Sequence, residues 1–95
     1  MALRFTWDPH KARLTERRHG VSFEEATTVF VDPLARIFDN PDHSVVESRE
    51  IIVGHSQKQR LLIVCFTERI DTVRIFSARK VARLERQDYE EARRS

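Results

Sequence analysis

Apolar and polar positions along the chain change period several times, and each change marks an element. Leu3, Phe5 and Trp7 alternate with Arg4 and Thr6, which predicts a first strand over residues 2–7. Asp8-Pro9 then supplies a cap acceptor and a proline whose missing N–H costs nothing in the first helical turn. A helix is therefore predicted over 9–18, stopped at Gly20. Val21-Ser22-Phe23-Glu24-Glu25-Ala26 reads as a capping box in which Ser22 caps, Glu25 reaches back to it and Val21 staples onto Ala26. Phe23, Ala26, Thr27 and Phe30 follow at i, i+3, i+4 and i+7, so a second helix ends before Asp32-Pro33.

Downstream the pattern turns extended. Strands are predicted over 34–39 and 45–55, separated by the turn-rich stretch Asn40-Pro41-Asp42-His43-Ser44. After a turn at 57–59, residues 60–67 hold the run Leu-Leu-Ile-Val-Cys-Phe, whose lack of alternation predicts burial on both faces at the sheet centre. From Asp71 a last strand places Val73, Ile75 and Ser77 on one face and Arg74, Phe76 and Ala78 on the other. The period then becomes helical: Ala78, Val81, Ala82, Leu84, Tyr89 and Ala92 share one sector over 78–93, opposite Arg79, Arg83, Arg86, Arg93 and Arg94. The order β-α-α-β-β-β-β-α predicts an α+β domain, an antiparallel meander packed by helices, occupying 1–95 as a single unit.

Composition narrows the class. With 40% hydrophobic and 34% charged residues the chain is expected to be ordered and not disordered, and its longest apolar run, Leu61 to Phe66, is far too short to span a bilayer. No membrane association and a cytoplasmic location are expected, and Cys65, inside that run, is expected to be an inert buried thiol. The net charge is only +2, but arginine outnumbers lysine fourteen to three. Planar guanidinium groups suit bidentate recognition of phosphate or carboxylate; arginine-rich coding composition would give the same bias.

Candidate chemistry follows from position. His19, at the end of the first helix, reads either as a proton donor or as a cap on the last carbonyls. His10, His43, His55 and Cys65 have no mutual ligand spacing, so neither a metal nor another cofactor is expected. Glu47 and Arg49 project from one strand face, as an acid and a cation beside a phosphate would or as a surface ion pair would. Arg74 and Arg79 sit on or next to rigid strand, and Glu85 falls inside the apolar sector of the last helix, where it reads as the partner of a sheet arginine, Arg74 or Arg49, or alternatively as a catalytic base.

Taken together, Phe5-x-Trp7-Asp8, Lys11, His19-Gly20-Val21-Ser22-Phe23-Glu24-Glu25-Ala26, Phe30, Arg49 with Gly54, Arg74-Ile75-x-Ser77-Ala78-Arg79, Glu85-Arg86 and Tyr89-Glu90 resemble the BrnT toxins over nearly the whole chain. The resemblance implies a RelE-like fold and an RNA-cleaving toxin of a bacterial type II toxin-antitoxin pair. It also implies a BrnA-like ribbon-helix-helix antitoxin, contact with operator DNA only through that antitoxin, and a higher-order toxin-antitoxin complex. Trp7, Lys11, His19, Arg49, Ser77 and Arg79 are the matched positions at the implied active face. In the expected site, Glu47, Arg49, Arg79 and His19 carry base, phosphate-binding and acid roles in a metal-independent cleavage, and Trp7, Lys11, Arg74, Ser77 and Arg83 contact RNA. The competing expectations are a non-catalytic nucleic-acid-binding or antitoxin-binding module with the same fold and, with no helix-turn-helix signal to favour it, a DNA-binding regulator.

Overall fold

The computed structural model describes residues 4–39 and 49–82, with Gln87 and Glu90 beyond them. Strand β1 (Arg4–Thr6) leads into helix α1 (Pro9–His19), helix α2 (Phe23–Thr28) and a 3₁₀ turn at Val29–Val31. Strands β2 (Arg36–Asp39), β3 (Glu50–His55), β4 (Leu61–Arg69) and β5 (Thr72–Lys80) follow. The five-stranded sheet has the order β1-β5-β4-β3-β2. The architecture is α+β, as the pattern predicts.

The local signals at both helices act as expected. Asp8 Oδ1 accepts from His10 N at 2.9 Å, proline opens α1, and Gly20 closes it at φ 70°, where a side chain would be strained. Ser22 Oγ accepts from Glu25 N at 3.0 Å. The other half of the capping box is different: the Glu25 carboxylate turns away from Ser22 and into the protein, toward Ser56 and Arg60. A second acceptor at the cap is worth less than pairing a guanidinium, so the longer-range partner wins.

Two further expectations are corrected. β2 to β5 form the predicted meander, but β1 runs parallel to β5, with Phe5 opposite Val73, so the sheet is mixed. Alternation carries no information about strand direction, since either direction puts i and i+2 on one face. The last strand also outruns its predicted end. Ala78, Arg79 and Lys80 stay in β5 opposite Val64, Ile63 and Leu62, and Val81 N still donates to Leu61 O at 3.1 Å. Ladder partners override a helical apolar period that begins at Ala78. Of the predicted helix over 78–93, Gln87 and Glu90 are helical; Arg83, Glu85, Arg86 and Tyr89 lie outside the described residues, as do 40–48.

The main core lies between the helices and one sheet face. Phe23, Ala26 and Val29 meet Leu62, Val64, Phe66, Val73, Ile75 and Ala78, all essentially without solvent exposure. Trp7 stands edge-on to Phe23 at 5.8 Å, and Phe30 edge-on to Phe66 at 5.0 Å, the arrangement aromatic quadrupoles favour. On the opposite face Leu61 and Val53 gather Ile51, Ile63 and Val81, so central strand β4 is apolar on both sides; burial on this second face falls short of the expectation, since Ile63 and Cys65 are only half-buried. Cys65 is only half-buried, against the expectation of a buried thiol. Gly54 has a steric reason: a Cβ there would lie 2.8 Å from Ala35 Cβ and 3.0 Å from Asp32 Oδ2.

Candidate active site

β1 pairs with β5 only as far as Arg74, and helix α1 packs along the strand. On α1 the spacing Lys11, Leu14, Thr15, Arg18 defines one face, with His19 at its end. These five side chains, with Phe76 and Ser77 of β5, enclose a cleft of about 200 Å³.

The strand wall of this cleft is shaped by a β-bulge. Phe66 pairs with Ile75 and Cys65 with Ser77, which leaves Phe76 as the extra residue. The irregularity reverses the alternation: Val73 and Ile75 face the core as expected, but Ser77 is exposed and Ala78 is buried in its place. Phe76 gathers two cations. The Arg49 guanidinium carbon stands 4.2 Å from its ring centroid and Lys11 Nζ 5.6 Å from it. Arg49 Nε is buried and has no hydrogen-bond partner among the described residues.

Three of the expected positions, Lys11, His19 and Ser77, therefore line one cleft, and Arg49 reaches it through Phe76. Others stand elsewhere. Trp7 is half-buried against Phe23 and contributes to packing. Arg74 is exposed, opposite Thr67, and Arg79 lies opposite Ile63 with Nη1 donating to Lys80 O at 3.2 Å. Glu47 and Arg83 fall outside the described residues. Phe76 itself was hidden in the sequence as one apolar residue of an alternating strand.

A second, larger hollow of about 420 Å³ lies between Thr28, Val31, Asp32 and the β3–β4 turn at His55, Ser56, Gln57 and Gln59. Two of its polar side chains are engaged by the fold. Asp32 accepts from Leu34 N at 3.0 Å and His55 N at 2.8 Å, and Thr28 Oγ1 accepts from Gln57 N at 2.9 Å. Behind it Glu25, 2% exposed, accepts from Ser56 Oγ at 2.6 Å and from Arg60 Nε at 2.9 Å, and forms a short ion pair with Arg60 Nη2. Arg60 Nη2 also donates to Gly20 O at 3.0 Å. The Arg60 hydrogen bond holds the Glu25 carboxyl below its ordinary range against the opposing pull of burial, and Glu25 in turn raises Arg60.

The geometry defines a small α+β protein with an open, cation-bearing cleft between a helix and a strand. Among the described residues no cluster of His, Cys, Asp or Glu is placed to hold a metal ion, and no helix is long and apolar enough to cross a membrane. Residues 7–85 match the family described as the ribonuclease toxin, BrnT, of type II toxin-antitoxin systems, and the chain belongs to that family. An antitoxin partner follows from membership of a type II system. In three dimensions the chain is similar to the crystal structure of the Brucella abortus ribonuclease toxin BrnT, with a TM-score of 0.67 and 16% identity over 86% of this chain and 100% of that one. At that identity the likeness is one of fold. No curated protein matches the sequence.

Proposed function

We propose that this protein is a metal-independent endoribonuclease acting in the cleft between α1 and β5. The observation that carries the reading is the meeting of Lys11, His19 and Ser77 around Phe76, with Arg49 stacked on the same ring. Cleavage of RNA needs a base to take the 2′-hydroxyl proton, cations to stabilise the crowded phosphate, and an acid for the leaving 5′-oxygen. The 2′-oxygen attacks the adjacent phosphorus, a cyclic 2′,3′-phosphodiester forms, and the 5′-oxygen departs with a proton. His19, exposed at the end of α1, is assigned the acid role, and Arg49 and Lys11 the phosphate. The base is assigned to Glu47, two positions before Arg49. Arg74 and Arg79 are assigned to phosphates flanking the scissile one, together with Arg83.

The same reading makes the protein a single-domain cytoplasmic toxin that arrests growth. Its partner is a BrnA-like ribbon-helix-helix antitoxin, through which a higher-order complex reaches operator DNA. The test is incubation of antitoxin-free protein with end-labelled RNA in excess EDTA. Wild-type protein should cut, leaving cyclic phosphate ends, and His19→Ala should lose cutting far more than RNA affinity. Retarded but intact RNA would instead favour a binding module, and loss of cutting on chelation would remove the metal-independent route.

A further inference from the structure

The residue at the centre of the cleft has no chemistry of its own in that reaction. We infer that Phe76 is a positioning residue whose ring holds Arg49 and Lys11 as a two-cation seat for an RNA phosphate, an inference that rests on the cleft being the ribonuclease site.

The physical case begins with how a long cation can be held. A carboxylate partner would fix a guanidinium but would also neutralise it and occupy its N–H fork. An aromatic face within about 6 Å attracts the cation through its quadrupole and leaves the fork pointing outward. Arg49 is held in the second way: its guanidinium carbon is 4.2 Å from the Phe76 centroid, and its buried Nε has no hydrogen-bond partner among the described residues. Lys11 approaches the same ring at 5.6 Å from a different element, helix α1. One ring thus sets the separation of two positive charges that arrive from separate parts of the chain. The bulge makes this placement, because Phe66 pairs with Ile75 and Cys65 with Ser77, so Phe76 is released from the regular alternation. Phosphate is the ligand whose geometry matches a planar fork beside a point charge.

Four proteins test the inference: Phe76→Leu, which keeps apolar bulk and removes the π face, Phe76→Trp, which keeps the face, Arg49→Ala, and Phe76→Leu combined with Arg49→Ala. Melting temperature confirms that each is folded, cleavage of a short RNA in EDTA and RNA affinity are read on each, and the NMR resonance of Arg49 Nε–H is read on the wild type and the two Phe76 single variants. Phe76→Leu should cut roughly 3- to 30-fold more slowly, the factor carried by a partly desolvated cation–π contact, while Phe76→Trp, which keeps a π face, should lose clearly less than Phe76→Leu. The Arg49 Nε–H resonance should move in Phe76→Leu as ring shielding is lost, and the losses in the double variant should be less than additive, the step below Arg49→Ala being only the smaller share that Lys11 carries. Wild-type cutting by Phe76→Leu, equal losses for Leu and Trp, additive losses in the double variant, or full activity in Arg49→Ala would each overturn it. If the wild-type chain binds RNA without cutting, the ribonuclease reading falls by itself. RNA affinity in the same four proteins then decides: the same pattern of losses supports the seat, and equal affinities overturn it.

Discussion

Two polar regions lie on either side of the α1–α2 corner, and they treat charge in opposite ways. Beneath the corner, Glu25 is buried and takes hydrogen bonds from Ser56 and Arg60, while Arg60 also reaches Gly20 O. In the cleft, Lys11 and Arg49 lean on an aromatic ring, and one Arg49 nitrogen is buried without a partner among the described residues. A buried charge that is fully paired serves the fold, because leaving either partner alone is what costs most. A cation held only by its flat face retains its capacity to bind an anion. In the hollow twice the cleft's volume, by contrast, the Asp32 carboxylate and the Thr28 hydroxyl already accept hydrogen bonds from the fold.

The contrast can be broken most severely at Glu25. Glu25→Ala should destabilise the protein by roughly 2–4 kcal/mol, somewhat under the full range for a broken buried pair because the Arg60 side chain is 29% exposed. Chemical denaturation should show this loss, and Glu25→Gln should lose less, since it keeps an acceptor for Ser56 and Arg60. Acid titration sharpens the point. Glu25 has a folded-state pKa below its ordinary 4.5, so its contribution is fully present above that value and fades as pH falls through the lowered one. Wild-type melting temperature should drop in that acid window, with a shallower fall for Glu25→Gln; parallel curves would remove Glu25 from the acid response.

At the cleft the expectation is reversed. Arg49→Ala should slow RNA cleavage about 100-fold while melting temperature stays within about 2 °C, because a partly exposed cation whose Nε has no hydrogen-bond partner among the described residues adds little to folding. A large loss of stability in that variant would show that the cleft is built like the corner. Gly54→Ala, next to Asp32 and Ala35, should cost about 1–3 kcal/mol by forcing backbone apart, with the activity of the folded fraction unchanged. Ser22→Ala should show the smallest effect, about 1 kcal/mol of helix capping measured by thermal unfolding.

What could be read from the sequence divides along similar lines. The caps of α1 and α2, the left-handed Gly20 and the central, apolar β4 are local patterns, and each is found where the pattern predicts it, although one face of β4 is only half-buried. The parallel pairing of β1, the length of β5 and the Phe76 bulge all depend on partners distant in sequence, and none was legible. Among the cleft residues, His19 is legible from its place at the end of α1, Lys11 and Ser77 through family resemblance, and ideal alternation puts Ser77 on the wrong face. The expectation of a buried acid fell on Glu85, outside the described residues, whereas Glu25 is the buried acid observed. A signal is present in the sequence: apolar Val29 stands four residues on from Glu25, at the start of the 3₁₀ turn that continues α2, and is fully buried in the structure.

The route of the chain through the sheet also sets when the cleft comes into being. Its helical wall is made early in the sequence and its strand wall near the end, and β1 closes onto that same late strand. A ribosome that has emitted α1 and His19 has still to emit Phe76, and contacts of such long range form late in folding because loop closure must come first. A nascent or truncated chain lacking β5 therefore carries the helix of the cleft without its floor, and any activity of the cleft appears only after β5 has been made and has paired.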